Sequence, residues 1–165
     1  MIEEIHSEMT FGRFREDDFF DIEKSEQFKK IEGNGFKPVE FLLLRKVGDE
    51  NFLVFVEAKR SSVGILGYEG EKIENIAQKF KDSLQLFSNI ICGYNENSIL
   101  PSNYSDFLAI KPQIVFRLVV KYIDKGDRLL AQDKLENLLK KEMVLWNIDI
   151  KVFDEDIARK RNLVI

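Results

Sequence analysis

The chain has 165 residues, the size of one ordinary domain with a real core, and 44% of them are apolar against 33% charged, a balance that argues against extended disorder. The single cysteine, Cys92, excludes an internal disulfide, and one histidine leaves no Cys/His set for zinc, which points to a reducing, cytoplasmic compartment. No run approaches membrane-spanning length, the acidic start MIEEIHSEMT lacks the apolar core of a signal peptide, and a net charge of −4 runs against a simple basic nucleic-acid footprint.

Residues 1–15 alternate loosely between apolar and polar, with Gly12 interrupting, and read as an edge strand or an extended arm. His6 has no companion for acid–base or ligand work, so a surface or packing role is expected. Arg13 and Arg15 flank Phe14 and could touch phosphate, or simply sit on a solvated edge. Residues 16–31 open with acids and close with lysines, the charge order that complements a helix dipole, and predict a helix. On that helix Glu23 falls inside the apolar arc of Phe19, Phe20, Ile22, Phe28 and Ile31. Gly33-Asn34-Gly35 supplies the positive φ that ends it.

Two apolar runs follow, VEFLLLRK at 39–46 and NFLVFVEAKR at 51–60, joined by a short polar turn that contains Gly48. They predict an antiparallel hairpin whose strands, apolar on both faces, are central in the sheet. Glu40 opens the first strand, and Glu57 and Lys59 share one face of the second. A carboxylate inside an apolar strand loses solvation and needs a partner. A hard divalent cation would supply one; a weak ion pair at a frayed strand end, contributing less than about 1 kcal/mol, is the alternative.

Beyond Lys59 a Gly/Ser-rich loop places Ser61 and Ser62 where their hydroxyls could meet a phosphate or merely turn the chain. Residues 71–92 predict a long amphipathic helix with Ile73, Ile76, Ala77, Phe80, Leu84, Phe87 and Ile91 on one stripe. Gln78 projects away from that stripe, and neither Lys81 nor Gln85 is better placed for a site. Residues 93–111 read as an irregular connection, long enough to serve as a lid or partner contact. Residues 113–122 alternate as a strand toward the sheet edge, 128–143 predict a second amphipathic helix, and 148–153 a final short strand. Helices between strands suit crossovers joining parallel neighbours. The tail carries Arg159-Lys160-Arg161, either a phosphate or partner contact or a solvated cluster.

An acid on one strand, a turn, an apolar strand ending in Glu57-Ala58-Lys59 and a long helix after it together resemble the PD-(D/E)XK nuclease superfamily, the restriction-endonuclease-like fold. The likeness runs from about residue 16 to 122. Two features differ from the usual pattern: the first acid is Glu40 rather than an aspartate, and Pro38 precedes it by two positions. The resemblance implies an α/β fold with a mixed central sheet, an antiparallel hairpin and helices on both faces. It also implies a metal-dependent nuclease in which Glu40, Glu57 and Glu23 (Glu16 in reserve) ligate Mg²⁺, with Mn²⁺ as substitute. Lys59 would assist the attacking water, and Glu40, Glu57 and Lys59 form the expected catalytic set. Nucleic acid, DNA first, is the implied partner, and a partner subunit or homodimer could supply the phosphate contacts that an acidic chain lacks. Two alternatives stay open. One is a non-catalytic interaction subunit on the same fold, and the other an unrelated α/β protein whose E-x-K is an exposed ion pair.

Overall fold

The computed structural model describes residues 1–67, 72–93 and 100–165. The expected first residue of the long helix, Glu71, and part of the connection after it lie outside these.

A mixed five-stranded sheet organises the chain, in the order β3 (Phe19–Phe20), β4 (Phe41–Val47), β5 (Glu50–Ser61), β6 (Gln113–Tyr122) and β7 (Asp149–Asp154). Its middle is the expected hairpin: β4 (Phe41–Val47) pairs antiparallel with β5 (Glu50–Ser61) from Phe41↔Val56 to Val47↔Glu50. Gly48, at φ +61°, starts the two-residue turn, a conformation that glycine adopts without penalty. Parallel to β5 lies β6 (Gln113–Tyr122), and β7 (Asp149–Asp154) is parallel to β6. β6 is therefore an interior strand, not one toward the edge. Ile114, Phe116, Leu118 and Val120 are buried on one face, and Val115 and Val119 on the other. The alternation that suggested an edge came from Arg117 and Lys121, whose long stems cross apolar surface to reach Asp149 and Glu8.

The two faces of the sheet are covered differently. Leu42, Leu44, Leu53, Phe55 and Phe116 meet helix α3 (Ile73–Ile91) through Ile76, Ala77, Phe80, Leu84 and Phe87, and Ala131 and Leu135 of α5 (Lys125–Leu138) extend that core. Phe80 stacks on Phe116 with ring centroids 4.5 Å apart. The opposite face, Phe41, Leu43, Val54, Val56 and Ala58, lies under a separate two-stranded sheet, β1 (Ile2–His6) with β2 (Met9–Phe14), and under the short α7 (Glu155–Lys160). Residues 1–15 thus fold on themselves as a hairpin instead of adding to the main sheet. Phe41 is ringed by Phe11, Phe14 and Phe19 at centroid distances of 5.5, 5.6 and 5.1 Å.

The helix expected at 16–31 does not form as one element. Phe19–Phe20 make the short edge strand β3, paired with Leu43 and Leu42, and send one ring to each face of the sheet. Only Glu26–Ile31 are α-helical, as α1. Two local caps divide the segment: the Asp21 carboxylate accepts from the N–H groups of Glu23 and Lys24, and Ser25 Oγ from that of Phe28. Burying two aromatic rings on opposite faces outweighs a dipole-favourable charge order worth a few tenths of a kcal/mol to about 1 kcal/mol. The expected helix at 128–143 is also divided, with a break at Leu139 before α6 (Lys140–Trp146). Leu139 is fully buried there and closes the end of the helical layer.

After β5, where a loop was expected, Ser62–Leu66 form the short helix α2, and the connection before β6, which carries α4 (Phe107–Ile110), is no loose lid in its described part. Tyr104 is 1% exposed, packs between Phe20 and Phe87, and donates its hydroxyl to the Asp18 carbonyl. Ser102 reaches Asp17 at 2.7 Å. Of the described helices, none is long and apolar enough to cross a membrane.

Candidate active site

Glu57 and Lys59 lie at the C-terminal end of the central strand, on the face that α3 covers. Glu57 is the deepest charge of the described residues, with a side chain 0% exposed. Lys59 Nζ stands 2.6 Å from its Oε1, and Lys79 Nζ, from α3, 2.9 Å from the same oxygen. Glu57 Oε2 is buried and has no hydrogen-bond partner among the described residues. Loss of water pushes the Glu57 carboxyl above its ordinary value, the two ammonium groups pull it down, and the nearby Glu40 charge pushes up again; burial wins.

Glu40 precedes β4 immediately, and the Phe41↔Val56 register continued by one residue sets it opposite Glu57. Its Oε2 is 2.9 Å from His6 Nδ1 at the end of β1. Burial works to raise the Glu40 carboxyl, but the His6 bond and the charges of His6, Lys79 and Lys59 prevail and hold it below the usual carboxylate range. His6 is raised in turn, first by that hydrogen bond. The histidine expected to be a bystander thus has a partner. What brings it there is the hairpin turn at Ser7 and Glu8, both at positive φ, tied to the sheet by Ser7 Oγ donating to the Ala58 carbonyl and by Arg60 and Lys121 on Glu8.

Glu23 sits in a 3-10 turn (Ile22–Lys24), exposed rather than on the core side of a helix. Partial burial raises its carboxyl, with further upward pushes from Glu40 and Asp21, so it shares the electrostatic field of the site without touching its members. Glu16 is exposed, 3.8 Å from the amino group of Met1, and takes no part. Ser62 is likewise committed elsewhere, donating to Asp127 Oδ2 at 2.7 Å.

Lys79 was not among the expected site residues, and its place on the helix, about 120° from the centre of the apolar stripe, carries no signal that would have singled it out. Gln78, which projects away from the stripe, instead binds Asp82 at 2.7 Å, and Asp82 and Ser83 accept the N–H groups of Lys37 and Val39. Those bonds clamp the segment leading into Glu40 against α3.

Among the described residues no three His, Cys, Asp or Glu side chains gather closely enough to hold a metal ion. Two hard donors are nevertheless suited to one: the orphaned Glu57 Oε2 and the Glu40 carboxylate opposite it, with Glu23 nearby. Such a pair fits a cation that keeps several of its waters. No protein-family model, no curated protein and no solved structure matches this chain.

Proposed function

We propose that the chain is a metal-dependent nuclease of restriction-endonuclease-like type, hydrolysing phosphodiester bonds in nucleic acid, DNA first. One observation carries the reading: a fully buried carboxylate, one oxygen of which has no partner among the described residues, lies toward the end of the central strand, opposite a second carboxylate and beside a lysine on the same face. Glu57 and Glu40 would hold Mg²⁺ or Mn²⁺, with Glu23 able to complete the set. When bound, the ion acts as a Lewis acid on the phosphate and lowers the pKa of a coordinated water. Lys59, 19% exposed, places its ammonium where it can orient a water or meet charge developing on phosphate oxygens. Lys79 holds Glu57 in its rotamer from above, and His6 does the same for Glu40. A reducing cytoplasm is the setting that one free, exposed cysteine suits.

The test is a cleavage assay on labelled DNA and RNA with Mg²⁺ or Mn²⁺, comparing the native chain with Lys59→Ala. The expected result is cleavage that chelator stops and that Lys59→Ala loses while its circular dichroism at the assay temperature shows a folded chain. Retained cleavage by the variant removes this lysine from the mechanism.

A second reading, a non-catalytic interaction subunit on the same fold, is favoured by a different observation. Two ammonium groups already share Glu57 Oε1, which balances its charge within the protein. Calorimetry separates the two, since the subunit reading expects no heat of Mg²⁺ or Mn²⁺ binding from a normally folded chain.

A further inference from the structure

A different concentration of charge lies at the other end of β4. Because β3 covers only Leu42 and Leu43, the sheet edge beyond them is open. There a cleft of about 330 Å³ separates β2 from β4 and is bordered by Asn162 after α7. Arg13, Arg15, Arg45 and Lys46 line it, against one acidic side chain, Asp18. In a chain of net charge −4, four cations around one open volume are out of proportion to the acid available.

Among the described residues, two of these four cations have a carboxylate neighbour and two have none. Arg13 Nε is 3.3 Å from the exposed Glu3, and Arg15 Nε only 3.9 Å from Asp18. Arg45 and Lys46 have no carboxylate partner among the described residues. The Arg45 guanidinium is partly buried, and its Nη1 donates to the Arg161 carbonyl at 2.8 Å, which anchors one arm of the fork. Burial holds its pKa below the ordinary arginine value, as expected of a cation taken from water without a counter-charge. An anchored guanidinium keeps its remaining N–H groups in a fixed plane, the arrangement that meets phosphate or carboxylate oxygens two at a time. The number of cations favours phosphate, and the open side admits the group together with the chain that bears it. The backbone of Arg161 comes to the same border, since Arg45 binds its carbonyl.

We propose that this cleft binds a phosphate group presented by a nucleic-acid strand, with the Arg45 fork as its main contact, Lys46 reaching it around the strand edge, and Arg13 and Arg15 at its rim. The site is separate from Glu57. It lies on the hairpin-covered face, and Arg45 is five residues along the strand from Glu40, about 16 Å at the rise of a β-strand. It does not depend on the chain being a nuclease.

Binding is measured with chelator present, by fluorescence anisotropy of a labelled 12-nucleotide single strand from about 50 to 200 mM salt. In parallel, inorganic phosphate is titrated against ¹⁵N-labelled protein while the Arg45 Nε–H resonance is followed. The double variant Arg45→Gln/Lys46→Gln is expected to bind the oligonucleotide at least about 10-fold more weakly, with a log–log salt slope shallower by about 1.4, two single-strand phosphate contacts. Arg45→Lys, which keeps the charge and loses the fork, is expected to fall between. Lys134→Gln, at an exposed position of α5, is expected to bind as the native chain does, which separates the cleft from a general loss of surface charge. Unchanged binding by the double variant at an unchanged melting temperature overturns the proposal, as does a native chain that responds to neither probe. A response of Arg45 to inorganic phosphate without oligonucleotide binding supports the phosphate chemistry and assigns its source to a small molecule instead of a strand.

Discussion

Replacing His6 by glutamine tests the contact that ties the N-terminal hairpin to the candidate site. His6 Nδ1 and Glu40 Oε2 are 2.9 Å apart, with side chains 23% and 25% exposed. A hydrogen bond between charged partners contributes about 1.5–3 kcal/mol when enclosed, and partial exposure reduces this to about 1 kcal/mol. The imidazole also packs beside Phe11 and Phe41, at centroid distances of 6.1 and 5.9 Å, and a glutamine leaves part of that contact unmade at a cost of about 0.5 kcal/mol. His6 is raised above 6.5, so its stabilisation is fully present below that pH and fades as pH rises through its folded value. Glu40 is lowered below 4.5, so its share is present above that pH and is lost as pH falls through its folded value. The pair is therefore strongest between about 4.5 and 6.5. Urea unfolding followed by circular dichroism, with chelator present so that no cation competes for Glu40, should show His6→Gln less stable by about 1.5 kcal/mol at pH 5.5 and by about 0.5 kcal/mol at pH 8.5. Equal losses at both pH values, or a larger one at pH 8.5, would refute the pairing.

Lys79→Met removes one of the two ammonium groups on Glu57. Because the Glu57 carboxyl is already raised, its ionised form is the costly one, and the loss should grow with pH, reaching about 3 kcal/mol at pH 8 and shrinking near pH 5 in urea unfolding. Phe80→Ala opens a cavity against Phe116 in the middle of the helical layer and should cost about 3–5 kcal/mol, read as a fall in melting temperature with the sheet spectrum retained. Ser83→Ala leaves the buried Val39 N–H without its acceptor at 2.8 Å. A loss of about 1–3 kcal/mol, with faster hydrogen exchange at Val39, is the expected result.

The hairpin of β4 and β5 was legible because both runs are apolar on each face and a glycine-bearing turn separates them. The spacing Glu57-x-Lys59 guarantees a shared face for any strand. The stripe of α3 was equally plain, since a periodicity of about 3.6 over 19 residues leaves little else for that segment to be. Residues 16–31 misled because charge order and an apolar arc are also what a broken segment shows when its two phenylalanines serve opposite faces of a sheet. The Asp21 and Ser25 caps that divide it were the overlooked local signal.

By itself, then, the order of residues determined which segments pair or coil and that an acid and a lysine would stand together at a strand end. Those are consequences of periodicity and of contacts a few residues apart. Only the tertiary structure decided that Glu57 would be fully buried, that a lysine from α3 would share its oxygen, and that His6 would reach Glu40. It also decided that Arg45 would have no carboxylate partner among the described residues. Burial and charge pairing depend on partners 22, 34 and 116 residues distant in the chain, and no local pattern encodes which of those partners will arrive.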